Sequence, residues 1–251
     1  MNETTPQHDT MSLGSRAIEL ASILAAIGLV IALVFRFSLT PDMLTWSTPV
    51  VCILAMFAAD FMSGMLHWFA DTWGRDTMPV LGRRLLRPFR VHHVNPDDLL
   101  RRDFIDANGD VAMLVAPFLI LGLTLPLDSS AGRICALFFA VFGIAALPTN
   151  QIHQWAHMSH PPRWIKWLQD FGLILGRRQH LKHHAEPYNK HYCITFGWCN
   201  ENLDTTNFFQ SLERIITRLT GLQPRQDDTA FINRSGVAEV NDPFESSGDQ
   251  R

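Results

Sequence analysis

Apolar residues in this chain are gathered into long blocks instead of recurring at short periods. Residues 17–37 hold only Glu19 near the start and Arg36 near the end as charges, and residues 47–69 hold only Asp60. Residues 111–127 carry no charge, and residues 131–147 carry Arg133 alone. Each block approaches the ~20 residues that cross a hydrocarbon core of ~30 Å. The pattern predicts an all-α, multi-pass membrane protein with about four transmembrane helices. The first block exceeds a signal-peptide core of ~7–15 residues, and Phe35-Arg36-Phe37-Ser38 stands where small cleavage-site residues belong, so it is expected to be retained.

Between and after the blocks the chain divides into a polar tail over 1–16, a membrane-embedded domain over 17–222 and a flexible, polar tail over 223–251. Pro161-Pro162-Arg163-Trp164 through Trp167 sets two Trp beside basic residues, the composition of a helix lying at a membrane interface. Residues 204–219 place Phe208, Leu212, Ile215, Ile216 and Leu219 at helical spacing, with Asp204 or Thr205 as the expected N-cap.

Charge orients the spans. Residues 74–110 carry Arg75, Arg83, Arg84, Arg87, Arg90, Arg101 and Arg102, whereas the turns at 38–46 and 126–130 carry no Lys or Arg. The positive-inside bias places both termini and the 74–110 loop in the cytoplasm, with Arg36 and Arg133 snorkelling at the outer ends. A bacterial inner membrane is the expected setting. The formal net charge of -3 leaves no basic excess for general nucleic-acid binding. The four cysteines form no Cys-x-x-Cys pair, and neither a disulfide framework nor a Cys-based zinc module is indicated.

The same orientation sorts the histidines, because ten of the eleven fall on one side and only His8 stands apart. Asp60, Gly64, His67 and Asp71 follow at steps of four, three and four, which puts them on one helix face. An acid within a span is either functional or hydrogen-bonded to a neighbour. His153 and His157 form an i, i+4 pair, and His180, His183 and His184 form an i, i+3, i+4 set. Imidazoles one helical turn apart can ligate one metal from the same face. With His67 and the adjacent His92 and His93, eight histidines assemble, too many for one tetrahedral zinc. Two transition-metal ions divide them into reasonable sets, with iron favoured for dioxygen chemistry and zinc as the rival. His-Glu-x-x-His, Glu-x-x-His, Gly-x-Ser-x-Gly and the glycine-rich nucleotide loops are absent.

The motifs Ser63-Gly64-x-x-His67-Trp68-x-x-Asp71-Thr72-Trp73-Gly74, Pro88-Phe89-Arg90-x-His92-His93-x-x-Pro96 and Thr149-Asn150-Gln151-Ile152-His153-x-Trp155-x-His157 resemble the Kua/CarF lipid-desaturase family. His180-x-x-His183-His184 and Tyr192-Cys193-Ile194-Thr195-x-Gly197-Trp198 extend the likeness, which runs from about Asp60 to Asp228. The resemblance implies a histidine-rich helical cap on the cytoplasmic side, with His67, His92, His93, His153, His157, His180, His183 and His184 holding two non-haem Fe ions and O2 as co-substrate. It implies a phospholipid substrate in the membrane and an external electron donor of the cytochrome b5 or ferredoxin type. The central motifs are most similar to members that convert plasmanylethanolamine, a 1-alkyl ether lipid, to its vinyl-ether plasmalogen. Desaturation of an acyl lipid and hydroxylation are the alternatives, and a non-catalytic metal-binding membrane protein is the reading from another class. Asp71 and Asn108 are expected to hold imidazole tautomers, the four spans to supply an apolar route for the lipid chain, and the 74–110 arginines to meet its phosphate. His160 has no family counterpart. Tyr188 stands where the family often has a histidine, and His191 is the residue that could substitute for it.

Overall fold

The computed structural model describes residues 12–225, so the outer parts of both expected tails and His8 lie outside the described residues. Among the described residues the elements are all helical: α1 (Leu13–Ser38), α2 (Thr48–Thr72), a widened π turn (Gly82–Leu86) running into α3 (Arg87–Val94), α4 (Asp98–Arg101), α5 (Phe104–Thr124), α6 (Ser130–Ala146), α7 (Thr149–His157), α8 (Arg163–Asp170), α9 (Arg177–His183), α10 (Asn200–Thr205) and α11 (Phe208–Thr220). Four stretches are long and apolar enough to cross a membrane: Leu13–Ser38, Thr48–Thr72, Phe104–Thr124 and Ser130–His157, the last being α6 continued by α7. The chain is an integral membrane protein. Its third span begins seven residues before the apolar block, because Asp103 caps it by accepting from the Ile105 and Asp106 amides.

The spans stand in the order α1, α5, α6, α2 across the bundle, each touching its neighbour along its length. Alanines let them approach closely, Ala26 and Ala112 between α1 and α5 and Ala55 and Ala59 on α2, and Leu33, Val115, Leu119 and Phe142 fill the seams around them. Arg36 and Arg133 do not simply snorkel. Arg36 donates to the carbonyls of Gly122 (3.1 Å) and Leu125 (2.6 Å), and Arg133 to that of Leu127 (2.9 Å), so both close the orphaned carbonyls of their own end of the bundle.

The α7 end of the fourth span and α8 to α11 build a cap on the histidine end. Ile152, Ala156, Ile165, Ile174, Leu175 and Ile194 form one core there, and Trp68, Trp73, Tyr192 and Phe209 form a second against α2. The predicted helix over 204–219 is broken: Asn207 takes a left-handed φ of 50°, a conformation Asn tolerates, and separates α10 from α11. Asp204 is not the N-cap, because its carboxylate is committed to the backbone and ring of His191. The body also runs past the expected boundary at 222, since the Arg225 amide donates to Thr72 O (2.8 Å) and its Nε to Asp71 O (2.7 Å).

Candidate metal centre

The eight histidines come from four segments that meet at one end of the bundle. α2 supplies His67, α3 supplies His92 and His93, α7 supplies His153 and His157, and α9 with its C-cap supplies His180, His183 and His184. Seven are buried and His184 is half-buried. Their nitrogens fall into two groups, His92 with His153, His157, His180 and His184, and His67 with His92, His93 and His183.

In the first group the Nε2 of His180 lies 3.0 Å from that of His153, 2.7 Å from that of His157 and 3.0 Å from that of His184. A ring nitrogen offers one N–H or one lone pair, so three such contacts cannot all be hydrogen bonds. Donors held 2.0–2.1 Å from a shared ion at tetrahedral to octahedral angles sit about 2.8–3.4 Å apart. The observed spacing, including 3.3 Å between His153 and His157, is that of ligands around a common cation. Burial holds His92, His93, His180 and His184 well below the usual imidazole range, and the neighbouring rings add to the effect, so each is neutral with a lone pair to give.

A carboxylate borders the second group. Asp71 Oδ2 lies 3.2 Å from His67 Nε2, 3.5 Å from His93 Nε2 and 3.5 Å from His183 Nε2. Its partners are the inward nitrogens, which changes the expectation that Asp71 only fixes tautomers from behind. Backbone carbonyls do that work: Tyr192 O lies 3.1 Å from His67 Nδ1 and Lys190 O lies 2.7 Å from His183 Nδ1. The His92 Nε2, counted in both groups, is buried without a hydrogen-bond partner. Eight imidazoles in two groups, with the Asp71 carboxylate beside the second, exceed what one tetrahedral zinc accepts.

The remaining candidates sit elsewhere. Asn108 donates to Phe104 O (2.9 Å) and Gln151 Oε1 (3.3 Å), bracing α5 against α7 instead of holding an imidazole. His191 is buried but engages Asp204, with Glu201 Oε1 3.4 Å from its Nε2, so it does not replace the histidine lost at Tyr188. Tyr188 instead stacks on His93, centroids 5.1 Å apart. His160 is exposed and outside both groups, so His160→Ala is expected to keep activity within about two-fold in a product assay. Asp60 is no ligand: its carboxylate accepts from the Phe196, Gly197 and Cys199 amides at 2.8, 2.9 and 3.0 Å.

Beside the centre lies an apolar cavity that opens to the outside. Met62, Leu66, Leu114, Phe118 and Phe142 line it from α2, α5 and α6, and Arg84, Arg102 and Asp110 mark its polar part. α1, expected to share in this route, contributes no lining residue. A smaller hollow shares Pro88, Phe89, Arg102 and Asn150 with the cavity and reaches His92 and His153. Phe89 stands at the junction, its ring centroid 4.8 Å from that of His67 and 6.0 Å from that of His92. Arg90 is not available to a phosphate, because it is buried and donates to the carbonyls of Ala70, Trp73 and Gly74.

A bundle of four spans that carries clustered histidines able to hold metal, next to an apolar cavity, defines a membrane-embedded oxidoreductase acting on lipid. Residues 56–227 match the lipid desaturase domain, and the chain belongs to that family. It is 45% identical to the plasmanylethanolamine desaturase of Myxococcus xanthus over 85% of this chain and 76% of that one. It is 38% identical to plasmanylethanolamine desaturase 1 of Mus musculus, over 75% and 73% of the two chains. Fatty acid desaturase 4 of Arabidopsis thaliana, a chloroplastic protein, is 36% identical over 66% of this chain and 51% of its own. No solved structure matches.

Proposed function

We propose that this lipid desaturase converts plasmanylethanolamine to plasmenylethanolamine, using two iron ions held by the nine clustered donors. The two relatives of that name, similar over three quarters or more of this chain, carry the substrate reading. Atom balance requires the alkyl ether, O2, two electrons and two protons to give the vinyl ether and two waters. Iron bound at the centre would supply the reduction of dioxygen and the removal of hydrogen from two adjacent carbons. The electrons must come from outside, and a cytochrome b5 or ferredoxin-type donor fits a chain without nucleotide-binding motifs. By the arginine bias of the 74–110 loop, the centre and both termini face the cytoplasm, and a bacterial inner membrane is the setting.

The protein's own part is placement. His153, His157, His180 and His184 would hold one ion, His67, His93, His183 and Asp71 the other, with His92 between them. The cavity receives the chain through its apolar part, Arg84 and Arg102, already paired with Asp110 and Asp106, mark its polar end, and Phe89 fixes which carbons lie against the centre. Shortening that ring is expected to let the chain wander. Phe89→Ala should lower turnover about 10–100-fold, the scale for misplacing reacting carbons by about an ångström. Scrambled double-bond positions in the residual product, read by tandem mass spectrometry, would separate misplacement from loss of protein.

The reaction is tested in cells that lack this activity, fed an alkylglycerol and given the wild type or His183→Ala. Acid-labile phosphatidylethanolamine two hydrogens lighter than its precursor is expected with the wild type only. Gain of one oxygen would identify a hydroxylase, and an unchanged alkyl lipid with desaturated acyl chains would move the substrate to the acyl class.

A further inference from the structure

The segment 192–199 joins the cap to α2 in an unusual way. Successive residues descend along the helix away from the histidines: Tyr192 O meets His67 Nδ1 at 3.1 Å and the Ile194 amide meets Ser63 Oγ at 3.0 Å. Phe196, Gly197 and Cys199 then meet Asp60, and Cys199 Sγ reaches Phe57 O at 3.7 Å. At 1.5 Å per residue, the ten residues from His67 to Phe57 carry the segment about 15 Å along the span. Phe57 lies nine residues from the far end of α2, near the middle of a hydrocarbon core of ~30 Å.

Backbone outside a helix survives at that depth only where its polar groups are satisfied by protein. Here they are. Besides Ser63 and Asp60, Asn200 accepts from the Cys193 amide (2.8 Å) and donates to its carbonyl (3.0 Å), and the Leu175 amide donates to Thr195 O (3.0 Å). Gly64 makes room, since a Cβ there would lie 2.5 Å from Cys193 Sγ. The side chains packed on Trp198 are apolar. Trp198 packs on the lipid-facing Phe57, ring centroids 5.2 Å apart, and donates to Gly172 O (2.7 Å), whose neighbours Phe171 and Leu173 are 66% and 44% exposed.

We infer that 192–199, with Phe171–Leu173 beside it, is a re-entrant insertion embedded among the acyl chains of the leaflet nearer the histidines. The bilayer itself is the partner. Continuity with α2, whose Phe57 is shared between span and insertion, argues for acyl chains over headgroups as the surroundings.

Photo-crosslinking of the full chain in phosphatidylcholine vesicles tests this, with a diazirine placed either mid-acyl or on the headgroup and adducts mapped by peptide mass spectrometry. Leu54, on the exposed face of α2, serves as the internal reference. The mid-acyl probe is expected to label Phe171, Leu173 or Trp198 at no less than one third of the Leu54 yield. Labelling of these residues by the headgroup probe alone, or by neither probe while Leu54 reacts, would overturn the inference.

Discussion

Removing the Asp60 carboxylate is expected to be among the most damaging single changes outside the donor set. Asp60→Ala leaves three amides, those of Phe196 and Gly197 buried and that of Cys199 part-buried, without this acceptor. At about 1–3 kcal/mol for each unsatisfied group, the destabilisation should reach about 3 kcal/mol or more. The damage does not stay local, because the same segment supplies Tyr192 O to His67 and leads back to Lys190 O at His183. Activity should fall at least ten-fold together with thermal stability in detergent. Asp60→Asn, which keeps one acceptor oxygen, should fall between the two. An alanine variant as stable as the wild type would show that the segment is held by packing alone.

The largest loss of function is expected at His180, whose Nε2 touches three other imidazole nitrogens. His180→Ala removes the shared neighbour of one set while leaving Asp71 and the second set in place. Product formation should drop below detection, about a thousand-fold, and bound metal should fall by one ion per chain. Circular dichroism and membrane insertion should stay as in the wild type, because the histidines close the site and the cores around Ile152 and Trp68 hold the cap. Full retention of metal in this variant would dissolve the proposed division of ligands.

Much of this was legible in the chain because the signals are local. Four long apolar blocks with few charges mark the spans, and the histidine spacings 153/157 and 180/183/184 mark shared helix faces whether or not the partners are known. The face of Asp60, Gly64, His67 and Asp71 is buried as its spacing requires. What pattern does not carry is the identity of a distant partner. Asp60 looked equally like a functional acid and a structural one, since its acceptors serve amides 136 to 139 residues away. Asp71 belongs with the inward nitrogens only because α2, α3 and α9 converge there. Phe89 is one apolar residue among many until the cavity and the cluster are seen on its two sides. The break at Asn207 overrides a continuous helical period, and periodicity does not register a single left-handed residue.

The central claim, that two histidine-rich donor sets hold two iron ions, is tested most directly by loading the purified full chain with ferrous iron under anaerobic conditions. Metal analysis and Mössbauer spectroscopy would then be made on the same sample. Two irons per chain in two distinguishable environments, one of nitrogen donors alone and one including the Asp71 carboxylate, is the predicted result. A single iron per chain, or zinc retained in place of iron with desaturation intact, would contradict it.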